Sequence, residues 1–440
     1  MSITSIYEAS RRSLTNQQSA INVTAQNITN ANNDNYSRRK INFTFSSKGL
    51  GGQDVERVHD KFLENQIRTE NQEFGRADVQ KSLFKNVEIY FGEPGDGSLT
   101  NVMQKFWNSW EELSNDPESE IQRLLVSNSG KNLTDTFNKI SNSMESLSNE
   151  TISMAQDKII KINGIVEQLG TLQRTVNRSS DIMDTEDRLI DELSKLINLQ
   201  IREDENGRKS IRSGGYSLVN GTDTTTFKVD SQQTDGLPTI VIKTERDDIV
   251  NINSGELGGI LEFNNSYLKS YKSQLDSVAS TIVSWVNTEH KTGYGINNIT
   301  GKAFFNESST TAKTMKLSDD ILADSSLIAT SAAANTIGDG TVAQTIADLN
   351  IKLDSDTNKS IDDSYQILIT TISTDGNREE FISTNQEKIV SQLRGQKASY
   401  SGVSLDEEMT NLLKFERAYQ AAAKVAQTVD EIMKTILQMV

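Results

Sequence analysis

The segment SLDEEMTNLLKFERAYQAAAKVAQTVDEIMKTILQMV, residues 404–440, sets Leu405, Leu412, Tyr419, Ala426, Met433 and Val440 seven apart. Phe415, Ala422, Val429 and Ile436 complete an alternating four-three spacing. That spacing is the seam of a coiled-coil helix. Ser404 and Glu407 stand ahead of it at the separation of a capping box, and Asp406, Glu407 and Glu408 suit the positive end of a helix dipole. Such a stripe ordinarily marks a buried core helix, but the opposite end of the chain carries a second one. Tyr7, Leu14, Ile21 and Ile28 are seven apart there, with Ile3, Ser10, Gln17, Thr24 and Ala31 between them. Half of this seam is polar or small, so the isolated helix gains little burial and is expected to be disordered by itself. Two seams at the two ends are most simply paired with each other or with neighbouring copies. The prediction is a terminal assembly domain of residues 1–35 plus 403–440, disordered in the monomer.

Working inward, Asn115-Asp116-Pro117-Glu118 combines a stop, a cap and a proline suited to a first helical turn. The helix predicted from it carries Leu133, Phe137, Ile140, Met144, Leu147 and Met154, then shifts by one residue to Ile159, Ile162, Val166, Leu169 and Val176. Some sixty residues would span roughly 90 Å, longer than a compact domain. Leu268, Tyr271, Leu275, Val278, Ile282 and Trp285 describe a further helix, ended by Gly293 and Gly295. Only three prolines, Pro94, Pro117 and Pro238, interrupt 440 residues. β signals are confined to about 199–256: Gln200-Ile-Arg-Glu-Asp204 and Lys209-Ser-Ile-Arg212 around Asn206-Gly207, then Phe227-Lys-Val-Asp230 and Thr239-Ile-Val-Ile242. Residues 297–360 lack a dependable period and read as loop with short helices. The fold expected is mainly α with a small antiparallel β portion. It is an elongated helical-bundle rod, residues 36–402, whose N- and C-terminal coiled-coil helices pair on assembly.

Composition removes most chemistry. The net charge of −16 disfavours nucleic acid and anionic membranes, and the absence of cysteine removes disulfides, thiolate nucleophiles and thiolate metal sites. His59 and His290 are the only histidines, and neither has ligand-spaced partners; His290 is expected charged at a helix C-terminus. The stretch Gly295 to Lys302 fails the phosphate-loop spacing, and Ala303 stands where Ser or Thr is required. Asp354 to Asn358 begins like a calcium loop, but Lys359 and Tyr365 occupy the obligatory glycine and glutamate positions. Gly49, Gly51 and Gly52 read as a flexible turn, Phe106, Trp107 and Trp110 as a core seam, and Arg38-Arg39-Lys40 as a subunit contact. The start has no basic and apolar leader, and no 18 apolar residues run together, so neither a Sec-type signal nor a membrane span is expected. No catalytic site, metal or cofactor is expected.

At this point two motifs carry a resemblance. Asn27-Ile-Thr-Asn-Ala-Asn-Asn-Asp-Asn-Tyr-Ser-Arg38 resembles the bacterial flagellar axial pattern Asn-Ile-x-Asn-Ala-Asn-Thr-Pro-Gly-Tyr-x-Arg, matching it at Asn27, Asn30, Ala31, Asn32, Tyr36 and Arg38. Ser401-Gly-Val-Ser-Leu-Asp-Glu-Glu408, with Asn411-Leu412 and Phe415-Glu-Arg-Ala-Tyr-Gln-Ala-Ala-Ala-Lys-Val425, is similar to the flagellar hook-associated protein 1 family. Gly215 to Gly221, Gly255 to Leu261 and Asn287 to Gly293 are also similar to segments of that family. Asn33-Asp34-Asn35 replaces the Thr-Pro-Gly of the pattern, and Asn35 is expected to take the left-handed conformation that glycine would.

The resemblance implies a structural subunit layered between hook and filament, exported unfolded through the flagellar type III apparatus and located in the extracellular flagellum. Its implied partners are copies of itself, hook protein, a second hook-associated junction protein, and an export chaperone that shields the C-terminal helix. The large β-rich insertion of many relatives has no room after His290. Alternatives are a rod or hook subunit, a coiled-coil adhesin or tail-fibre protein, and, least favoured, a glycoside hydrolase working with two buried carboxylates in an aromatic cleft.

Overall fold

The computed structural model describes residues 3–46, 49–93, 95, 97–175, 179–204, 207–233, 236–355 and 357–439. Pro94, Val176, Asn206 and Val440 lie outside the described residues. The chain runs through α1 (Ile3–Thr29), a hairpin of β1 (Arg39–Ser46) and β2 (Gly49–Arg57), α2 (Lys61–Phe91), α3 (Leu99–Asn115), α4 (Glu120–Arg174) and α5 (Ser180–Leu196). A β portion follows, then α6 (Gly255–Glu262) and α7 (Lys269–Thr292). After the short helices α8 (Asp319–Ala323) and α9 (Thr341–Ala347) come α10 (Ile361–Ser401) and α11 (Leu405–Met439). The protein is mainly helical and elongated, since the 55 residues of α4 alone reach roughly 80 Å.

Helix α4 begins later than the proline suggests. Ser119 is the N-cap, its hydroxyl accepting from the Gln122 amide, and Pro117 precedes it. A hydroxyl acceptor satisfies one of the orphan amides of the first turn, which proline cannot do. The buried face keeps a four-three alternation except near its middle, where Thr151, Ala155 and Ile159 follow one another at intervals of four. This extra step accounts for the phase shift in the sequence. Ala155, rather than Met154, holds the core position.

Residues 200–250 form two antiparallel sheets, one in the order β3 (Gln200–Glu203), β4 (Lys209–Ser213), β5 (Tyr216–Asn220), β6 (Asp223–Thr224). The other runs β7 (Phe227–Gln232), β8 (Thr239–Thr244), β9 (Ile249–Val250). Between α6 and α7 the helix passes through a π turn, Phe263–Leu268. There Asn265 bonds Ile240 in both directions, at 2.8 Å each, while buried Asn264 accepts from Ser148 (2.7 Å) and Thr151 (3.1 Å) of α4. The widened turn aims two adjacent amides at the sheet and the long helix.

Residues 293–360 have few regular elements but are well packed. Phe304, Phe305, Leu317, Ile328, Ala343 and Ile346 join Phe106, Trp107 and Trp110 in one continuous core. Buried Arg123 fastens this segment to α4, its guanidinium donating to the carbonyls of Ile328 and Pro117 and to the Thr330 hydroxyl.

His290 corrects an expectation. It does lie in the last turn of α7, but it is buried, with Nδ1 donating to the Lys302 carbonyl (2.7 Å) and Nε2 accepting from the Ala329 amide (2.9 Å). Accepting at Nε2 requires the neutral ring, and burial lowers its pKa to about 4. The unfolded chain binds this proton near pH 6.5, so the stability from His290 is complete above that value and is lost as pH falls toward 4. The loss amounts to roughly 3 kcal/mol. Denaturant titrations from pH 7 to pH 4 are expected to show this slope in the wild type and a flatter one in His290→Gln; equal slopes would refute the assignment.

Candidate functional site

The two motifs that bracket the sequence meet in space. Asn27, near the end of α1, is buried and makes four hydrogen bonds. Its Oδ1 accepts from the Tyr36 hydroxyl (2.7 Å) and the Arg39 amide (3.0 Å), while its Nδ2 donates to the Arg39 carbonyl (2.9 Å) and to Glu408 Oε2 (3.0 Å). Arg38 reaches the same carboxylate, Nε to Glu408 Oε1 at 2.8 Å, and places its Nη2 2.8 Å from Glu407. The Arg38 amide donates to the Ser401 carbonyl at 3.0 Å. One asparagine and one arginine therefore clasp the first turn of α11 to the end of α1. The hydrogen bond to Glu407 chiefly raises the Arg38 pKa, and Arg38 in turn lowers that of Glu407.

This geometry revises three readings. Ser404 Oγ is 3.5 Å from the Glu407 amide, a long cap, and the Glu407 carboxylate turns to Arg38 instead of closing a capping box. Asn33, through an Asx turn to the Asn35 amide (3.1 Å), shapes the motif loop; Asn35 itself does not take a left-handed conformation. Arg38 and Arg39 are used within the chain, leaving only Lys40 of that basic cluster exposed.

Below the clasp lies a network that the sequence reading passed over. Helix α5 presents Asp181, Asp184, Asp187 and Asp191 along one face, and its other face buries Leu189, Ile190, Leu193 and Leu196. Arg39 pairs with Asp181 and stacks on Tyr36 at 4.9 Å. Arg57, at the end of β2, bridges Asp184 (2.8 Å) and Asp187 (2.7 Å). Arg68 of α2 bridges Asp187 (3.0 Å) and Asp191 (2.6 Å), and Lys209 of β4 also pairs with Asp187. The spacing of three, three and four was the available signal. Burial alone would raise the Asp187 carboxyl, but Lys209, Arg68 and Arg57 outweigh it and hold it well below the usual range. Tyr36, desolvated among acids, is pushed up to about 12.

Asp184 and Asp187 also line a cleft of about 530 Å³ beside the motif loop. Two buried carboxylates in a cleft are what glycoside hydrolysis would need. Here Asp184 and Asp187 are both held by the one Arg57 guanidinium, and Arg68 and Lys209 also pair with Asp187, so the two carboxylates are committed to ion pairs that tie the fold together. Among the described residues no group of three or more acidic or histidine side chains could hold a metal ion. No described helix is long and apolar enough to cross a membrane.

The predicted seams lie along two packed helices. Because Asn27 meets Glu408 and the helices run away from that point in opposite chain directions, α1 and α11 pack antiparallel. Ser10, Asn16, Ala20, Val23, Thr24 and Asn27 form the buried face of α1. Leu14, Ile21 and Ile28 are half-buried, as are Asn30 and Ala31, while Tyr7 and Asn32 are exposed. On α11, Glu408 and Val429 are buried and Leu412, Phe415, Ala422 and Ala426 half-buried; Leu405, Tyr419, Met433 and Ile436 are exposed. Phe43 of the β1–β2 hairpin meets Phe415 edge to face at 6.4 Å. Counting from the Asn27–Glu408 contact, the first residue of α1 stands opposite about residue 432. The last two turns of α11 therefore project beyond their partner, with Ile436 44% and Leu437 75% exposed.

With that geometry in view, comparison with known proteins is decisive. The flagellar hook-associated protein FlgK helical domain matches residues 84–305, just over half of the chain. The chain belongs to the FlgK family. The flagellar basal body rod FlgEFG protein C-terminal family matches residues 396–439, which hold Glu407, Glu408 and the α11 seam. Flagellar hook-associated protein 1 of Bacillus subtilis (strain 168) is 25% identical over 98% of this chain and 97% of its own length. Its namesake from Salmonella typhimurium is 23% identical over 96% and 97%. The flagellar hook junction protein FlgK from Burkholderia pseudomallei shares the fold, with a TM-score of 0.67 at 13% identity, covering 76% of this chain and all of that one. As a member of the FlgK family, the chain is a structural protein of the bacterial flagellum and not an enzyme. It works among other flagellar axial components outside the cell.

Proposed function

We propose that this protein is the junction subunit that seats the flagellar filament on the hook, with the clasped helix pair α1–α11 as its assembly element. The projecting end of α11 carries the reading. Met433, Ile436 and Leu437 are apolar, exposed and at coiled-coil spacing beyond the reach of α1, so they suit a neighbouring copy. In this reading, residues 1–35 and 403–440 form the terminal domain and 36–402 the rod. The terminal pair is weakly held before docking and completed by adjacent copies, hook protein and a second junction protein. A chaperone covers α11 during export through the flagellar type III apparatus. Absence of the large insertion domain agrees with an alignment to the Salmonella relative that spans 539 positions, more than this chain's 440 residues. A rod or hook role is the second reading, favoured by the rod-family match to 396–439.

Gene deletion followed by electron microscopy and an assay for released flagellin separates them. The junction reading requires bare hooks with free flagellin in the medium. Missing hooks would move the protein to the rod or hook, and intact filaments would end both readings. Within the protein, Ile436→Asp and Leu412→Asp are expected to abolish incorporation while leaving the thermal unfolding of the rod unchanged, because Ile436 lies on the exposed end of α11 and Leu412 is half-buried in the terminal pair, both outside the rod core. Normal filaments built from either variant would contradict the terminal-assembly role.

A further inference from the structure

Most buried polar groups of the terminal pair are satisfied. The Ser10 hydroxyl donates to the Ile6 carbonyl at 3.0 Å, and Asn27 makes the four bonds of the clasp. Asn16 differs. It sits mid-helix on the buried face of α1, 5% exposed, between Ala20 on one side and Ser10 on the other, and its Nδ2 has no hydrogen-bond partner. The neighbouring Gln17 also buries its Oε1 without a donor. By the count from the Asn27–Glu408 contact, Asn16 stands opposite the Phe415 to Tyr419 turn of α11. A buried donor left unpaired lowers stability, whereas an apolar group of the same shape is neutral or stabilising there. A single polar residue in a helical seam weakens pairing while restricting which arrangements are favourable.

We infer that Asn16 is a specificity-determining residue of the terminal helix pair, a built-in brake that keeps α1 and α11 weakly joined within one copy. A second copy could then displace or extend the contact. That last step rests on the proposed assembly role; the brake itself does not. Leucine has the same number and branching of side-chain heavy atoms as asparagine and would place an apolar group on the buried face with Ala20 and Val23.

The test is amide hydrogen exchange on the purified full-length monomer. Asn16→Leu and Asn16→Val are expected to slow exchange across α1 and α11 by about tenfold, the factor corresponding to one lost unsatisfied donor. Asn16→Gln, which keeps the amide, should not slow it. Leucine at exposed Thr15 serves as the control for added hydrophobicity and should leave exchange unchanged. In cells, Asn16→Leu is expected to reduce incorporation, with soluble monomer accumulating. Exchange that is unchanged or faster in both Asn16→Leu and Asn16→Val, or slowed equally by Thr15→Leu, would overturn the brake. The deletion phenotype above is independent of this residue, so failure here leaves the junction reading standing, and failure there leaves the exchange result standing.

Discussion

Asp187→Ala is expected to destabilise the folded protein by about 3–5 kcal/mol, because it removes the carboxylate that three interior cations share. Arg57, Arg68 and Lys209 converge on this one carboxylate from β2, α2 and β4, and their side chains are almost as buried as its own. Removing it leaves Arg57 with Asp184 alone, Arg68 with Asp191 alone and Lys209 without the carboxylate it pairs with, and the three elements they anchor lose their common tie to α5. The corresponding fall in Tm is about 3–5 °C. Asp187→Asn should behave similarly, since shape is kept and charge is not. Its folded pKa lies below the unfolded one, so the contribution is complete above about pH 4 and is lost as pH falls below that. Circular-dichroism melts at pH 7 decide the matter: a change in Tm within 2 °C for both variants would show that Arg57 and Arg68 rely on Asp184 and Asp191 instead.

The contrast between this network and the rest of the molecule explains what could be read from sequence. The helix of α11 was legible because hydrophobic spacing is a local property, but within one copy Val429 of its stripe is buried, Leu412, Phe415, Ala422 and Ala426 are half-buried, and Leu405, Tyr419, Met433 and Ile436 stay exposed. On α1 the register was less visible. The covered face includes Asn16, Ala20 and Asn27, small or polar residues that no hydrophobic period reveals. Helices α2 and α10 escaped residue-level reading for a related reason. Their stripes are interrupted by buried polar side chains, Glu64, Arg68, Asn71 and Gln80 in one and Glu379 and Ser383 in the other, of which Arg68, Asn71 and Gln80 bond to distant elements. The β1–β2 hairpin was missed although Ile41, Phe43 and Phe45 alternate, since Gly49 to Gly52 looks like a turn and in fact continues as β2. Motif residues fared differently again. Asn27, Tyr36 and Arg38 were picked out by resemblance, but their roles emerge only when Glu408, nearly four hundred residues away, is brought alongside.

That distant contact yields the second large effect. Glu408 and Glu407 are adjacent in sequence and both touch Arg38, yet their side chains are 3% and 57% exposed. A surface ion pair is screened and contributes at most about 1 kcal/mol, while a buried carboxylate holding two donors contributes through both bonds and through the cost of leaving them unpaired. Glu408→Ala is therefore expected to speed amide exchange in the first three turns of α11 by about a hundredfold and to abolish incorporation into flagella. Glu407→Ala should alter exchange by fivefold at most. A double-mutant cycle with Arg38→Ala separates the clasp from simple loss of a side chain: Arg38 and Glu408 should show a coupling of about 1–3 kcal/mol, and Arg38 and Glu407 less than 1. The rod should melt unchanged in every case, because the clasp ties α1 to α11 and carries none of the core packing of α2, α4, α7 and α10. Equal effects at the two glutamates would mean that Arg38 holds α11 by general charge attraction. The Asn27–Glu408 bond would then be incidental to assembly, and the terminal pair would owe its place to the apolar seam alone.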